Sequence, residues 1–250
     1  MTKFDDQLFV CIDCETTGLN PKEDLIIEVA AAVFTTKGIL EEFATLIDPG
    51  RLIPPESTVI HHITDDMVTG KPKVESVLPK LLQMIGKKTI VGHGVGFDIE
   101  LLAVAAERTG IGHSLKGNSS IDTLRMARLY GKSPTNALEQ LRKHFCIEPH
   151  GAHRAMSDVS VNIDVFLNLI KDYKDLRQLF DILEKPIQMQ TMPLGKYKGR
   201  GIKELPQDYL QWAAKQAFDR DLLFTLRSEV KRRKRGALFV QSANPFSTLE

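Results

Sequence analysis

Asp13 and Glu15 stand two residues apart at the end of the apolar run Leu8-Phe-Val-Cys-Ile12. In an extended chain residues i and i+2 project to one face, so this spacing sets two carboxylates side by side where a buried strand ends. Such a pair suits a hard cation, since Mg²⁺ takes oxygen ligands and is commonly held by one or two carboxylates completed by phosphate and water. Two ions about 3.5–4 Å apart activate an attacking water and stabilise a leaving oxygen, the chemistry of phosphodiester hydrolysis, and that arrangement needs further acids. Asp98 is one, following Gly92-His-Gly-Val-Gly-Phe97 and opening a helical pattern beside permissive backbone. Asp158 is another, just inside a later helix, with His153 five residues before it. Five helical steps rotate about 500°, so the two would diverge if both were helical, and His153 fits a preceding loop that faces the site. An imidazole of ordinary pKa about 6.5 suits a general base that takes a proton from the attacking water. A lone D-x-E is a common solvated strand end; Asp13, Glu15, Asp98, His153 and Asp158 together read as a hydrolytic centre.

Periodicity predicts the elements that must position these groups. Residues 8–12 have strand length, and 25–34 and 39–47, separated by Thr35-Thr36-Lys37-Gly38, predict two more strands and hence an antiparallel meander. Beyond Pro54-Pro55 the period changes: Val74, Val77, Leu78, Leu81, Leu82 and Ile85 recur at helical spacing up to Gly86, with Pro79 inside to bend the helix. A short strand over 89–91 is followed by helices over 98–108, 137–145 and 158–170, the last with Val159, Ile163, Phe166 and Ile170 on one face. Asp122, between a strand and a helix, reads as an N-cap rather than a fifth metal acid. Strands first, then alternation, give an α/β fold with a mixed sheet flanked by helices.

The pattern breaks around Lys185-Pro186, which divides a main domain over 1–185 from a small, mainly helical module over 192–236 and a tail over 237–250. Within the module a helix primed by Pro206 carries Tyr209, Leu210, Trp212 and Ala213, and this spacing makes Trp212 a core anchor rather than a base-stacking platform. A second helix over 219–235 ends in Lys231-Arg232-Arg233-Lys234-Arg235. That run reads either as a solvated helix end favoured by the macrodipole or, with Lys196, Lys198, Arg200 and Lys203, as a patch for a polyanion. The stretch Gly195 to Gly201 lacks the G-K-[ST] ending of a phosphate loop.

Composition narrows the class. With 250 residues and 42% apolar content the chain can bury a full core and carry an appendage. No apolar stretch approaches the ~20 residues of a membrane span, and the first residues lack a basic-then-apolar leader, so the expectation is a cytoplasmic protein without a membrane partner. Cys11, Cys14 and Cys146 are odd in number and lack zinc spacing, which predicts reduced thiols. A formal net charge of +1 gives no global polyanion signal, although it averages over local patches.

Taken in order, Asp13-Cys-Glu15-Thr16-Thr17-Gly18-Leu19, then Phe97-Asp98, then His153-Arg-Ala-Met-Ser-Asp158, resembles the three exonuclease motifs of the DnaQ-like DEDDh superfamily over roughly residues 7–170. The resemblance implies an RNase H-like fold, two divalent cations (Mg²⁺ or Mn²⁺), and release of nucleoside 5′-monophosphates from 3′ ends. It implies Asp13, Glu15, Asp98 and Asp158 as metal ligands and His153 as base. Thr16, Thr17, Gly18, Leu19 and Phe97 would line the terminal nucleotide's pocket, with Leu19 against a base unless it is simply core. His61-His62-Ile63-Thr64 is similar to the family's substrate-contacting His-Gly-Ile-Thr, with His62 where glycine is common, and Gly94 stands where relatives often carry Asn. The C-terminal Met192-Pro-Leu-Gly-Lys-Tyr-Lys-Gly is similar to a module of exonuclease X-like proteins. The expected substrate is a single-stranded or frayed 3′ end of DNA, in proofreading or repair, as in the epsilon subunits of bacterial DNA polymerase III, with a polymerase as a further partner. An RNA-trimming exoribonuclease and a non-catalytic nucleic-acid-binding polymerase accessory protein are the alternatives.

Overall fold

The computed structural model describes Phe4 and residues 7–133, 135–148 and 154–242, with side chains to residue 235. The chain divides into two compact units, Met1–Ile182 and Leu183–Glu250. In the first, β1 (Phe9–Thr16), β2 (Ile26–Thr35) and β3 (Gly38–Leu46) form the antiparallel meander. The helices α1 (Pro55–His61), α2 (Asp65–Val68) and α3 (Val74–Ile85) lead to β4 (Thr89–Gly92). Then come α4 (Gly96–Thr109), β5 (Ser120–Asp122), α5 (Thr123–Tyr130), α6 (Leu138–His144), α7 (Ala155–Leu169) and α8 (Leu176–Leu183). Strand order is β3-β2-β1-β4-β5, with β4 parallel to β1 and β5 parallel to β4, the mixed sheet of an RNase H-like fold.

Strand alternation gives the sheet two apolar faces. Val10, Ile12 and Cys14 pack with Val29, Ala31 and Val33 against Leu78, Leu81 and Ile85 of α3 and Leu101 and Leu102 of α4. The intervening residues meet α7: Phe9, Phe34 and Phe166 form a ring cluster with centroids 5.2–5.7 Å apart, and Asn162 Nδ2 donates to Cys11 Sγ at 3.4 Å. Burying three phenylalanines in edge and offset contact fixes α7 across β1 and β2. By period two, Asp13 and Glu15 share the α7 face with Phe9 and Cys11.

Several boundaries differ from expectation. The first strand does not stop at Ile12 but runs to Thr16, because Cys14 and Thr16 remain buried on the alternate face, and so both carboxylates lie within the strand. The hairpin turn is the pair Thr36-Lys37, since Thr35 and Gly38 are already paired. Helices α1, α2 and α8 were not anticipated. Asp122 is the N-cap of α5, accepting from Leu124 N–H at 2.9 Å.

The second unit contains α9 (Gln207–Ala213) and α10 (Arg220–Ser242) around Met192, Ile202, Leu205, Leu210, Ala213, Leu222 and Leu226. Trp212 is not a core anchor: it is 52% exposed, because two helical steps from buried Leu210 rotate it about 200° to the opposite face. Within the basic run, Arg232 and Arg233 are held by the buried carboxylate of Glu229 at 2.8 Å each, and Arg233 also caps the carbonyls of Lys203 and Leu205. Among the described residues no helix is long and apolar enough to cross a membrane.

Candidate active site

A carboxylate oxygen from each of Asp13, Glu15 and Asp158 lies within 4.8 Å of the other two. Each acid arrives by a different local device. Asp13 and Glu15 are neighbours on one face of β1, opposite Ala30 and Glu28 of β2, and the register shifts between Glu15 and Thr16. The small Ala30 leaves space beside Asp13, and the bulge turns the strand after Glu15 before its last pair, Thr16 with Ile26. Asp158 sits in the first turn of α7, where the positive end of the helix dipole favours a negative charge.

Asp98 stands beside this group rather than in it. It is buried in the first turn of α4, and its Oδ1 accepts the backbone N–H of Cys14 at 3.0 Å. That donor is available because β4 pairs with β1 only from Phe9 to Cys11. The bond locks α4 to the residue between the two strand acids.

Electrostatics record the crowding. The Asp13 carboxyl is held well above the usual carboxylate range, first by burial and then by the charges of Asp98, Glu15, Asp158 and Glu28. Glu15 is pushed up to about 7 by burial, Asp158 and Glu28. Asp98 also rises to about 7, chiefly through burial, opposed by the Cys14 N–H bond. These acids raise one another's pKa values, and hard oxygen donors in this arrangement fit a divalent cation.

The ordering of α7 rests on a residue that periodicity did not single out. Glu28, 2% exposed near the start of β2, accepts from Arg154 Nε and Nη2 on Oε1 at 2.8 and 2.6 Å. Its Oε2 accepts the backbone N–H of Ala155, the first residue of α7, at 3.1 Å. One buried carboxylate thus pins the start of the helix that carries Asp158. The signal was present in the sequence, since a single Glu interrupts an otherwise apolar ten-residue strand and a buried charge requires a partner.

The remaining predicted residues are arranged unevenly. Thr16 and Thr17 are buried and follow the strand acids; Thr17 Oγ1 donates to Asp24 Oδ1 at 2.9 Å, and its carbonyl accepts from Ser57 Oγ at 2.9 Å. A Cβ on Gly18 would come within 2.5 Å of Asp24, so the turn closes this tightly only with glycine. Asp24 also accepts from Asn20 N–H and Arg51, organising the loop, and the sequence reading did not identify it. Leu19 at its tip is 86% exposed and is not core. Phe97, half-buried, packs against the core beside Asp98. His62 is exposed and ends α1 at φ 59°, the left-handed region in which glycine costs least, while His61 is buried and accepts from Ile63 N–H at 3.0 Å. Gly94, at φ 78°, donates its N–H to Asp122, and His93 Nδ1 pairs with Thr123 Oγ1 at 3.0 Å. His153 lies outside the described residues; α7 begins two residues after it.

Comparison with known proteins agrees with this geometry. The model of the exonuclease family RNase_T matches residues 10–166, and a second family, named for a quorum-sensing-regulated virulence factor, matches 181–227. The chain is 37% identical over 166 residues to the DNA polymerase III subunit epsilon of Treponema pallidum, covering 65% of this chain and 76% of that protein. It is 32% identical to the same subunit of Aquifex aeolicus, over 67% of this chain and 82% of that one. It is 33% identical to the PolC-type DNA polymerase III of Clostridium perfringens, of which it spans only 12%. Among solved structures, exonuclease X in complex with 5′ overhanging duplex DNA aligns with a TM-score of 0.55 and 26% identity, over 70% of this chain and 98% of that one.

Proposed function

Because the chain belongs to the exonuclease family of DnaQ-like DEDDh enzymes, we propose that it is a metal-dependent 3′→5′ exonuclease that shortens DNA and releases nucleoside 5′-monophosphates. The observation that carries this reading is the convergence of Asp13, Glu15 and Asp158 oxygens within 4.8 Å. Asp13, Glu15, Asp98 and Asp158 would hold two Mg²⁺ or Mn²⁺ ions. When bound, these cations would activate water and neutralise charge on the scissile phosphate and the leaving 3′ oxygen.

The chain's own residues supply the rest. Half-buried Asp13, Glu15 and Asp158, with buried Asp98, hold carboxylate oxygens at one place, so little reorganisation is needed when cations and phosphate enter. His153, two residues before α7 in the sequence, removes the proton from the attacking water. Thr16, Thr17, Gly18, Leu19, Phe97 and His62 surround the terminal nucleotide, with exposed Leu19 laid against its base. DNA in proofreading or repair is the favoured substrate setting, supported by the epsilon-subunit relatives and by the DNA in the exonuclease X complex. A polymerase is the further partner those relatives suggest, and the cytoplasm the expected site. Residues 1–185 form the catalytic domain in this reading, with the module over 192–236 and the tail over 237–250 accessory to it.

The test is a pair of variants. Asp13→Ala abolishes turnover while leaving a cooperative thermal transition, and His153→Ala keeps cation-induced stabilisation but slows hydrolysis about 10²–10⁴-fold. Full activity in either variant refutes the corresponding role.

A further inference from the structure

The second unit carries an aromatic row at its surface: Tyr197 and Tyr209 pack against its core and stay partly exposed, while Trp212 stands outside that core. Trp212, the chain's only tryptophan, is half exposed, and its ring lies 5.4 Å from that of Tyr209, which in turn lies 4.6 Å from Tyr197. Leu194 beside them is 40% exposed. Two cations belong to the same face: Lys196 Nζ is 5.5 Å and the Arg200 guanidinium 5.7 Å from the Tyr197 ring centre. The exposure of Trp212 gains nothing for the fold, because Leu210, Ala213, Leu222 and Leu226, with Tyr197 and Tyr209 packed on them, complete the core without it.

The face is also held rigid. Met192 N–H donates to Arg200 O at 2.8 Å and Gly199 N–H to Met192 O at 2.7 Å, while Thr191 pairs with Gly201. These bonds close the loop that carries Leu194, Lys196, Tyr197 and Arg200, and Gly195 and Gly199, at φ 70° and 83°, make its two reversals. Charge selects the class of ligand. The unit Leu183–Glu250 carries 13 Lys and Arg against 7 Asp and Glu, a formal +6, while residues 1–182 carry 20 against 25, a formal −5. The near-neutral total therefore hides a basic unit attached to an acidic one.

We propose that Leu194, Lys196, Tyr197, Arg200, Tyr209 and Trp212 form a nucleic-acid site separate from the acidic centre, which takes single-stranded DNA by stacking bases on the aromatic row while Lys196 and Arg200 meet the phosphates. Aromatic rings offer a stacking surface to any base, and flanking cations follow the backbone, so this site is tolerant of sequence and sensitive to salt. A proline-rich peptide would also use tyrosine and tryptophan faces, but a unit at +6 favours a polyanion. The proposal rests on the exonuclease reading only for the choice of DNA among polyanions.

The sole tryptophan supplies its own readout. With the full chain in EDTA, so that no strand is cut, oligo(dT) is expected to change Trp212 emission saturably, with affinity that falls as salt rises. In fluorescence anisotropy with labelled oligo(dT), Trp212→Ala and Tyr197→Ala weaken binding about tenfold, whereas Trp212→Phe and Tyr197→Phe retain most of it. Unchanged melting temperatures show that the alanine variants remain folded. The proposal is overturned by unaltered Trp212 emission, by unchanged affinity in both alanine variants, or by a response to polyproline peptide without one to oligo(dT). Mg²⁺-dependent cleavage of a dinucleotide, measured separately, is expected to be the same in Trp212→Ala. Loss of that cleavage in wild type with Trp212 binding intact would count against the catalytic reading alone.

Discussion

Three carboxylate oxygens gathered within 4.8 Å on one sheet face oppose one another, and their positions make sense as a place prepared for positive charge. Glu15 gives this a measurable form. In the metal-free protein its carboxyl is raised to about 7, so the folded state holds the proton more tightly than the unfolded chain does. The native state then binds more protons between the ordinary carboxylate range and about 7, and this group's contribution to stability falls as pH rises through that window. Glu15→Gln removes the penalty: at pH 8 in EDTA it is expected to be about 1–3 kcal/mol more stable than wild type, a difference that shrinks towards pH 5. Mg²⁺ should stabilise wild type more at pH 8 than at pH 5.5, because protons compete for the same oxygens, and should act less on the variant. Thermal melts over pH and Mg²⁺ check both, and a wild type more stable than Glu15→Gln in EDTA at pH 8 would contradict them. Asp13 and Glu15 were legible because i and i+2 share a face of any strand. The placement of Asp98 on the Cys14 N–H was not, since it depends on where β4 stops.

At the scale of elements, the site depends on how firmly α7 is seated. The Phe9, Phe34 and Phe166 cluster fixes its body, and Glu28 fixes its first turn through Arg154 and the Ala155 N–H. Glu28→Gln keeps the shape and an acceptor but loses the ion pair. It is expected to lower kcat about 10–100-fold with little change in KM, as for other groups that orient metal ligands, at a stability cost of about 1–3 kcal/mol. Arg154→Ala should resemble it in kcat. Activity and melting temperature measured on the same preparations separate positioning from unfolding, and wild-type kcat in Glu28→Gln would refute the positioning role. The strands and the amphipathic α3 were readable because their apolar periods are strong. The end of β1 was misplaced because the apolar run stops at Ile12 while pairing with β2 continues to Thr16. Helix α8 escaped notice although Leu176, Leu179 and Leu183 recur on one face, its short span being set among charged residues.

Across the whole molecule, charge is partitioned rather than balanced, with a formal −5 on the unit that would hold cations and a formal +6 on the other. Such a division suits an enzyme whose catalytic unit concentrates negative charge and whose second unit attracts the strand. Removing residues 183–250 is expected to raise KM for a long single strand about tenfold near physiological salt, with the difference shrinking as salt rises and kcat preserved. Steady-state kinetics at several salt concentrations check this, and an unchanged KM throughout would contradict it. The basic run from Lys231 to Arg235 was legible in the sequence; that Glu229 occupies Arg232 and Arg233, and that Trp212 faces outward, follows from spacing within each helix once its buried face is known.

The central claim, metal-dependent removal of nucleotides from DNA 3′ ends, is tested most directly by incubating matched 5′-labelled DNA and RNA strands with the full chain, with Mg²⁺ or Mn²⁺ and with EDTA, beside Asp13→Ala. A ladder of shortening from the 3′ end of DNA, with 5′-monophosphates released, is expected only in the presence of the cation and only for wild type. Shortening in EDTA, equal activity in Asp13→Ala, a strong preference for RNA, or no mononucleotide release from any 3′ end would contradict it.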